Sequence, residues 1–193
     1  VLSRRQRQMC IRDRSKTTIS PKSYNNKYGV PLSLFNINQN DDYGVIEVGM
    51  DKKGEIDQLS KIIQPDISVI TNINYAHAKN FKNIRQIALA KAEIIDNTKD
   101  NGYVVLNADD AFFGLHKKIA HKKKIKVLSF GINNQYADIK LHNIIKSKKK
   151  YKICIKINEI KKNFIVSNDF QNYIYNVLAC LLYTSPSPRD GRE

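Results

Sequence analysis

Residues 43–71 read YGVIEVGMDKKGEIDQLSKIIQPDISVIT, and this stretch decides the fold. Tyr43 to Val48 is a short apolar run leading into Glu47-Val48-Gly49, the pattern of a buried parallel strand that delivers a side chain at its carboxyl end. Glu55 to Ile63 then places Ile56, Leu59, Ile62 and Ile63 on one face of a helix, and Pro65 closes it. Ile67 to Thr71 is the next strand.

The same alternation continues downstream. Ile84 to Ile95 is a helix with Ile84, Ile87, Ala88, Lys91 and Ile95 on one side. Gly102 to Leu106 is a strand, Asp109 to Ala120 a helix, and Ile125 to Phe130 a strand ending at Gly131. These spacings predict an α/β fold, a mostly parallel, right-handed sheet with helices flanking both faces. The pattern then changes to strict alternation in Asp138 to Asn143, Tyr151 to Ile157 and Asn163 to Val166, interrupted by Lys146 to Lys150 and Asn158 to Lys162. That predicts a small antiparallel meander. Asp169 to Ala179 begins a further helix, and no internal repeat is visible.

The chain has 193 residues, 41% of them hydrophobic, enough for one domain with a core. Its uncharged apolar runs fall far short of the roughly 18 residues that a membrane span needs. The formal charge of +15 is compatible with a polyanion partner. The excess is mostly Lys, however, and comes with abundant Asn and Ile; all three have codons rich in A and T, so a biased genome accounts for it.

The two ends do not belong to the fold. Met9-Cys10-Ile11-Arg12-Asp13 can be written ATG TGT ATA AGA GAC, and Cys180-Leu181-Leu182-Tyr183-Thr184 can be written TGT CTC TTA TAC ACA. Apart from the end bases these are reverse complements, as expected of a sequencing adaptor read in both orientations. Residues 1–14 and 180–193 are therefore assigned to adaptor-encoded scar, and 15–179 to a partial domain. Five arginines against Asp13 give residues 1–14 a charge of +4, and residues 180–193 balance, so +11 belongs to the remainder. Cys10 and Cys180 leave with the ends. Cys154, between Ile153 and Ile155, then reads as a small buried hydrophobe in a reducing cytosol. No signal peptide is visible, although a truncated start could hide one.

Ligands of open parallel sheets bind beyond the carboxyl ends of the strands. Glu47, Thr71-Asn72, Asn107 with Asp109-Asp110, and Ser129 stand there. A strand-end carboxylate is the usual magnesium ligand of ATP-using proteins. Such carboxylates also cap helices and pair with Lys. His77 lies in a polar loop. Lys91 lies on the apolar face of its helix, where it either snorkels to solvent or has a depressed pKa and is modified, for example to a metal-ligating carbamate.

Six ordered blocks over nearly all of residues 20–179 resemble the central ATPase domain of the Mur ligases. They are Ser23-Tyr24-Asn25-Asn26-Lys27-Tyr28-Gly29-Val30-Pro31-Leu32; Val45-Ile46-Glu47-Val48-Gly49 with Gly54-Glu55-Ile56; Thr71-Asn72-Ile73 to His77; Ala90-Lys91-Ala92-Glu93; Leu106-Asn107-Ala108-Asp109-Asp110; and Asn172 to Ala179. The first two look most like the branch that adds D-alanyl-D-alanine. The resemblance implies a P-loop NTPase-like domain of a monomeric, cytoplasmic amide ligase of peptidoglycan synthesis that uses ATP and Mg2+. Such a ligase phosphorylates the carboxylate of a UDP-N-acetylmuramoyl peptide, and the amine of D-alanyl-D-alanine attacks the acyl phosphate. Charge neutralisation and in-line positioning carry that chemistry.

By position, the resemblance makes Glu47 and His77 metal ligands and Lys91 the carbamylated lysine that supports the ion; all three would be catalytic. Asn176 would contact adenine, with Asn172 standing where the family usually has histidine, and Asn25, Asn26 and Asn72 would lie near the acceptor substrate. Ser15-Lys16-Thr17-Thr18 imitates the end of a phosphate loop but lacks its glycines. The family's own phosphate loop and its flanking domains are expected outside this chain, which is therefore expected to be inactive alone. The alternatives are a folylpolyglutamate synthase-like ligase of the same superfamily, against which the Asn25-Asn26 block argues, and a basic nucleic-acid-binding module using Lys122 to Lys126 and Lys146 to Lys150.

Overall fold

The computed structural model describes residues 16–21, 23–75, 80–147, 150–157, 160–167, 174–176 and 178–179. Residues 1–14 and 180–193 lie outside these, as do His77, Asn172 and the start of the predicted last helix. No helix among the described residues is long and apolar enough to cross a membrane.

The strands are β1 (Thr17–Ile19), β2 (Tyr43–Val45), β3 (Ile67–Ile70), β4 (Tyr103–Asn107), β5 (Lys126–Gly131), β6 (Ile139–Ser147), β7 (Lys150–Ile157) and β8 (Ile160–Ser167). The helices are α1 (Gly29–Phe35), α2 (Glu55–Ile63), α3 (Ile84–Asp96) and α4 (Phe113–Lys122), with helical residues again at 174–176 and 178–179. The six strands from β3 to β8 form one sheet in sequence order. It is parallel from β3 through β6 and antiparallel from β6 through β8.

Strand alternation sorts the side chains into two cores. In β4, Val104 and Leu106 join Ile70, Ile87, Ala88, Ile95 and Ala120 under α3 and α4, whereas Val105 faces the other way. On that second side Val105 and Phe130 pack with Ile139, Tyr151, Ile153 and Ile155 of the meander and with Ile174 and Leu178. The sheet is thus covered on both faces.

Several boundaries differ from those read in the sequence: β6, expected to end at Asn143 ahead of a Lys146 to Lys150 connection, runs on to Ser147. The strand expected over Tyr43 to Val48 stops at Val45 and pairs in parallel with β1, in a separate two-stranded sheet. The chain leaves the ladder because Gly49 N donates to Asn25 O at 2.7 Å while Val48 and Met50 pack into the α3 core. The helix expected from Asp109 begins at Phe113; the carboxylates of Asp109 and Asp110 bind Ile132 N and Ile73 N of other segments, and Asp110 also turns the chain through Phe112 N. β8 begins at Ile160, so 160–162 belong to a strand rather than a connection.

β5 and β6 are parallel neighbours joined by only residues 132–138, and they pair through two positions, Phe130↔Ile139 and Gly131↔Lys140. Parallel strands normally require a long crossover. Here the loop drops back beside the end of β5, and two aspartates hold it. Asp109 accepts from Ile132 N, Asn133 N and Asn134 N, and Asp138 accepts from Ser129 N and Ser129 Oγ at 2.7 and 2.6 Å.

Candidate functional site at the strand ends

Two pairs of site residues meet at the carboxyl ends of β2 and β3. Beyond β2, Glu47 N donates to Ser20 Oγ at 3.0 Å, and Asn25 Nδ2 donates to Glu47 Oε1 at 3.2 Å. Gly49 makes room for that amide, since a Cβ there would sit 3.0 Å from Asn25 Cγ. Beyond β3, Lys91 Nζ donates to Asn72 O at 3.0 Å, while Thr71 Oγ1 donates to Asn72 Oδ1 at 3.3 Å. Val48 and Met50 on one side, and Ile70 and Ile73 on the other, pack into one core, which holds both segments against α3.

Lys91 lies among the buried Ile87, Ala88, Ala90, Ala92 and Ile95 of α3. Burial lowers its pKa, opposed by the Asp110 carboxylate. The half-buried lysine snorkels to a backbone carbonyl at the surface. Asp110 also accepts from Ile73 N and Phe112 N, both at 2.8 Å, so the loop after β3 is tied to the start of α4.

Asn26 has a local task as well. Its Oδ1 accepts from Tyr28 N and Gly29 N at 3.1 and 3.0 Å and opens α1. Asn176 lies on the helical residues 174–176, half-buried, and its neighbour Tyr175 hydrogen-bonds Asp109. Burial, followed by the Asp109 charge and that bond, raises the Tyr175 pKa. His77 is outside the described residues, among which no group of three His, Cys, Asp or Glu side chains is arranged to hold a metal. Thr17 and Thr18 of the imitation phosphate loop lie in β1, where Thr18 Oγ1 donates to Asp41 Oδ2.

Sequence reasoning missed two residues here. His116 is 2% exposed, and its Nε2 donates to Ala88 O at 3.0 Å, one turn before Lys91. Its only signal was a histidine on the inner side of a predicted helix. Glu93, which had only marked a motif, reaches from α3 to the start of α2 and accepts from Gly54 N and Asp57 N. Gly54, at φ 89°, cannot cap that helix with a side chain.

An α/β fold with Glu47 just beyond β2 and Lys91 of α3 reaching the backbone beyond β3 defines a class of protein, and the family profile agrees. The Mur ligase middle domain matches residues 6–184, and the chain belongs to the Mur ligase family. Its relatives include the UDP-N-acetylmuramoyl-tripeptide–D-alanyl-D-alanine ligase of Buchnera aphidicola subsp. Acyrthosiphon pisum, 38% identical over 69% of this chain and 29% of that protein. The ligase of the same name from Bacillus subtilis is 30% identical over 89% of this chain and 36% of its own length. The chain therefore spans about a third of these relatives. Among solved structures, MurF from Acinetobacter baumannii superposes with a TM-score of 0.81 at 24% identity, covering 95% of this chain and 40% of that one. MurF from Thermotoga maritima, in complex with ADP, gives 0.77 at 22% identity, covering 92% and 40%. The fold likeness to L. casei FPGS is weaker, 0.62 at 15% identity over 87% of this chain and 50% of that one.

Proposed function

We propose that this chain is the middle domain of an ATP-dependent, cytoplasmic amide ligase that acts as a monomer and joins D-alanyl-D-alanine to a UDP-N-acetylmuramoyl peptide. The observation that carries the reading is that Asn25 meets Glu47, and Lys91 meets the Asn72 carbonyl, at the ends of parallel strands. The names of the relatives supply the substrates.

The residues suit a hard divalent cation. Glu47 offers carboxylate oxygen, and burial favours the neutral form of Lys91, the form that reacts with carbon dioxide to give a carbamate. Glu47, His77 and carbamylated Lys91 would hold Mg2+, which neutralises phosphate charge during transfer. Asn25 orients the Glu47 carboxylate through its amide. Asn72, with Asn25 and Asn26, would face the acceptor peptide, and Asn176 would meet adenine. The acceptor carboxylate is activated as an acyl phosphate and attacked by the incoming amine.

Two measurements test this. With labelled bicarbonate, a carbamate carbon signal should appear on the chain and vanish in Lys91→Arg; no signal in either removes Lys91 from the metal site. The whole gene product should release phosphate only when both UDP-N-acetylmuramoyl tripeptide and D-alanyl-D-alanine are present. Release supported by a folate and glutamate instead would overturn the substrate assignment.

A further inference from the structure

The outer face of the meander is basic. The register turns Lys140, Lys150, Lys152, Lys156 and Lys161 outward, and β6, β7 and β8 carry no carboxylate. A codon bias toward A and T raises Lys, but it does not remove Asp and Glu, whose codons are also A·T-rich. Alternation turns Tyr151, Ile153, Ile155 and Phe164 toward the core and leaves the other set outside.

On that outside, the register aligns residues in rows across the three strands. Lys140, Lys156 and Lys161 make one row, Asn143, Cys154 and Asn163 the next, and Ile145, Lys152 and Ile165 the third. A bulge between Leu141 and Asn143 adds His142. Like charges directly opposite one another weaken a sheet, and Lys140 Nζ is drawn off to Gln135 O. Lysines on an edge strand guard against edge pairing, but Lys152 and Lys156 lie on β7, the central strand of the meander.

We propose that this face docks on an anionic phospholipid bilayer, its lysines meeting headgroup phosphates and Ile145 and Ile165 entering the apolar boundary. The isoleucines separate this partner from a nucleic acid. They are 55% and 71% exposed and bracket Lys152, as an interfacial surface requires. The described outward positions of the three strands hold no Phe, Tyr or Trp, the rings on which successive bases stack most strongly. His142, Asn143, Lys152, Cys154, Lys161 and Asn163 line a shallow groove of about 220 Å³, room for polar headgroup atoms between the rows.

The test is co-sedimentation of the 193-residue chain with vesicles of phosphatidylcholine alone or mixed equally with phosphatidylglycerol. Binding is expected only to the mixed vesicles and should weaken with salt. Arg4, Arg5, Arg7, Arg12 and Arg14 also add positive charge, so the decisive quantity is the change made by face substitutions. Lys152→Gln and Lys161→Gln should each lower the partition coefficient about five-fold at low salt. Ile145→Ser with Ile165→Ser should lower it at every salt concentration, and Lys118→Gln on α4 should change it less than about two-fold. As a measurement independent of variants, the amides of β6 to β8 should gain hydrogen-exchange protection on the mixed vesicles. Face variants that bind like the parent, equal binding to neutral vesicles, unprotected amides, or displacement by a single-stranded oligonucleotide that binds more tightly to the same lysines would each overturn the proposal.

Discussion

Replacing Glu93 tests whether its place beside Lys91 reflects architecture. Its two carboxylate oxygens lie 2.9 and 3.1 Å from Gly54 N, and Oε2 lies 3.1 Å from Asp57 N, so one side chain of α3 caps the start of α2. Glu93→Ala leaves two partly buried N–H groups without that acceptor and removes a negative charge from a helix amino terminus. A hydrogen bond to a charged group contributes about 1.5–3 kcal/mol, and a helix cap about 0.5–2 kcal/mol. The bonds share one acceptor group and do not add fully, so the expected loss is about 3 kcal/mol. For a domain of this size that lowers Tm by roughly 6–12 °C. Glu93→Gln keeps one acceptor oxygen and should lose about 1 kcal/mol. Urea unfolding followed by circular dichroism should show a lower midpoint at unchanged slope. A Glu93→Ala midpoint within about 0.5 kcal/mol of the parent would refute the capping role.

Three further outcomes are expected. Ile153 is fully buried, between Ile144 and Phe164 in the meander, and Ile153→Ala should destabilise by about 2–5 kcal/mol in the same urea assay. Burial depresses the His116 pKa below 6.5 despite the Ala88 carbonyl and the Asp110 charge. The unfolded chain therefore takes up the proton first: stability is full above the unfolded pKa, falls as pH drops below about 6.5, and goes on falling until the folded pKa is passed. In His116→Gln the stability difference between about pH 7.5 and pH 5 should shrink; an unchanged difference would count against the buried neutral ring. Asp109→Ala frees the amides of Ile132, Asn133 and Asn134, which should exchange at least about ten-fold faster while the β4 amides hold.

Much of the sheet was legible because strand and helix periods are local properties of the chain. Val104, Val105 and Leu106 announced a doubly covered strand, and Ile87, Ala88 and Ile95 a buried helical stripe. β1 and α1 were missed. Thr17–Ile19 is too short to show a period, and α1 exposes Leu32 and Phe35, so its apolar residues do not mark a buried stripe. Of the site, Glu47, Asn72 and Lys91 could be picked out because each follows a strand or interrupts an apolar face. The Asn25 amide on Glu47 arises across 22 residues of chain and leaves no periodic trace.

The order of strands and helices from Ile67 onward, the alternation within the meander and the family blocks were thus legible in the sequence alone, since each depends on residues within a few positions of one another. Tertiary structure alone decided which acid does what. Glu93 caps a foreign helix, Asp109 gathers three amides of a distant loop, and Asp110 joins the loop after β3 to α4. A carboxylate is committed by the N–H groups that folding brings to it, and those lie 23 to 39 positions away in sequence.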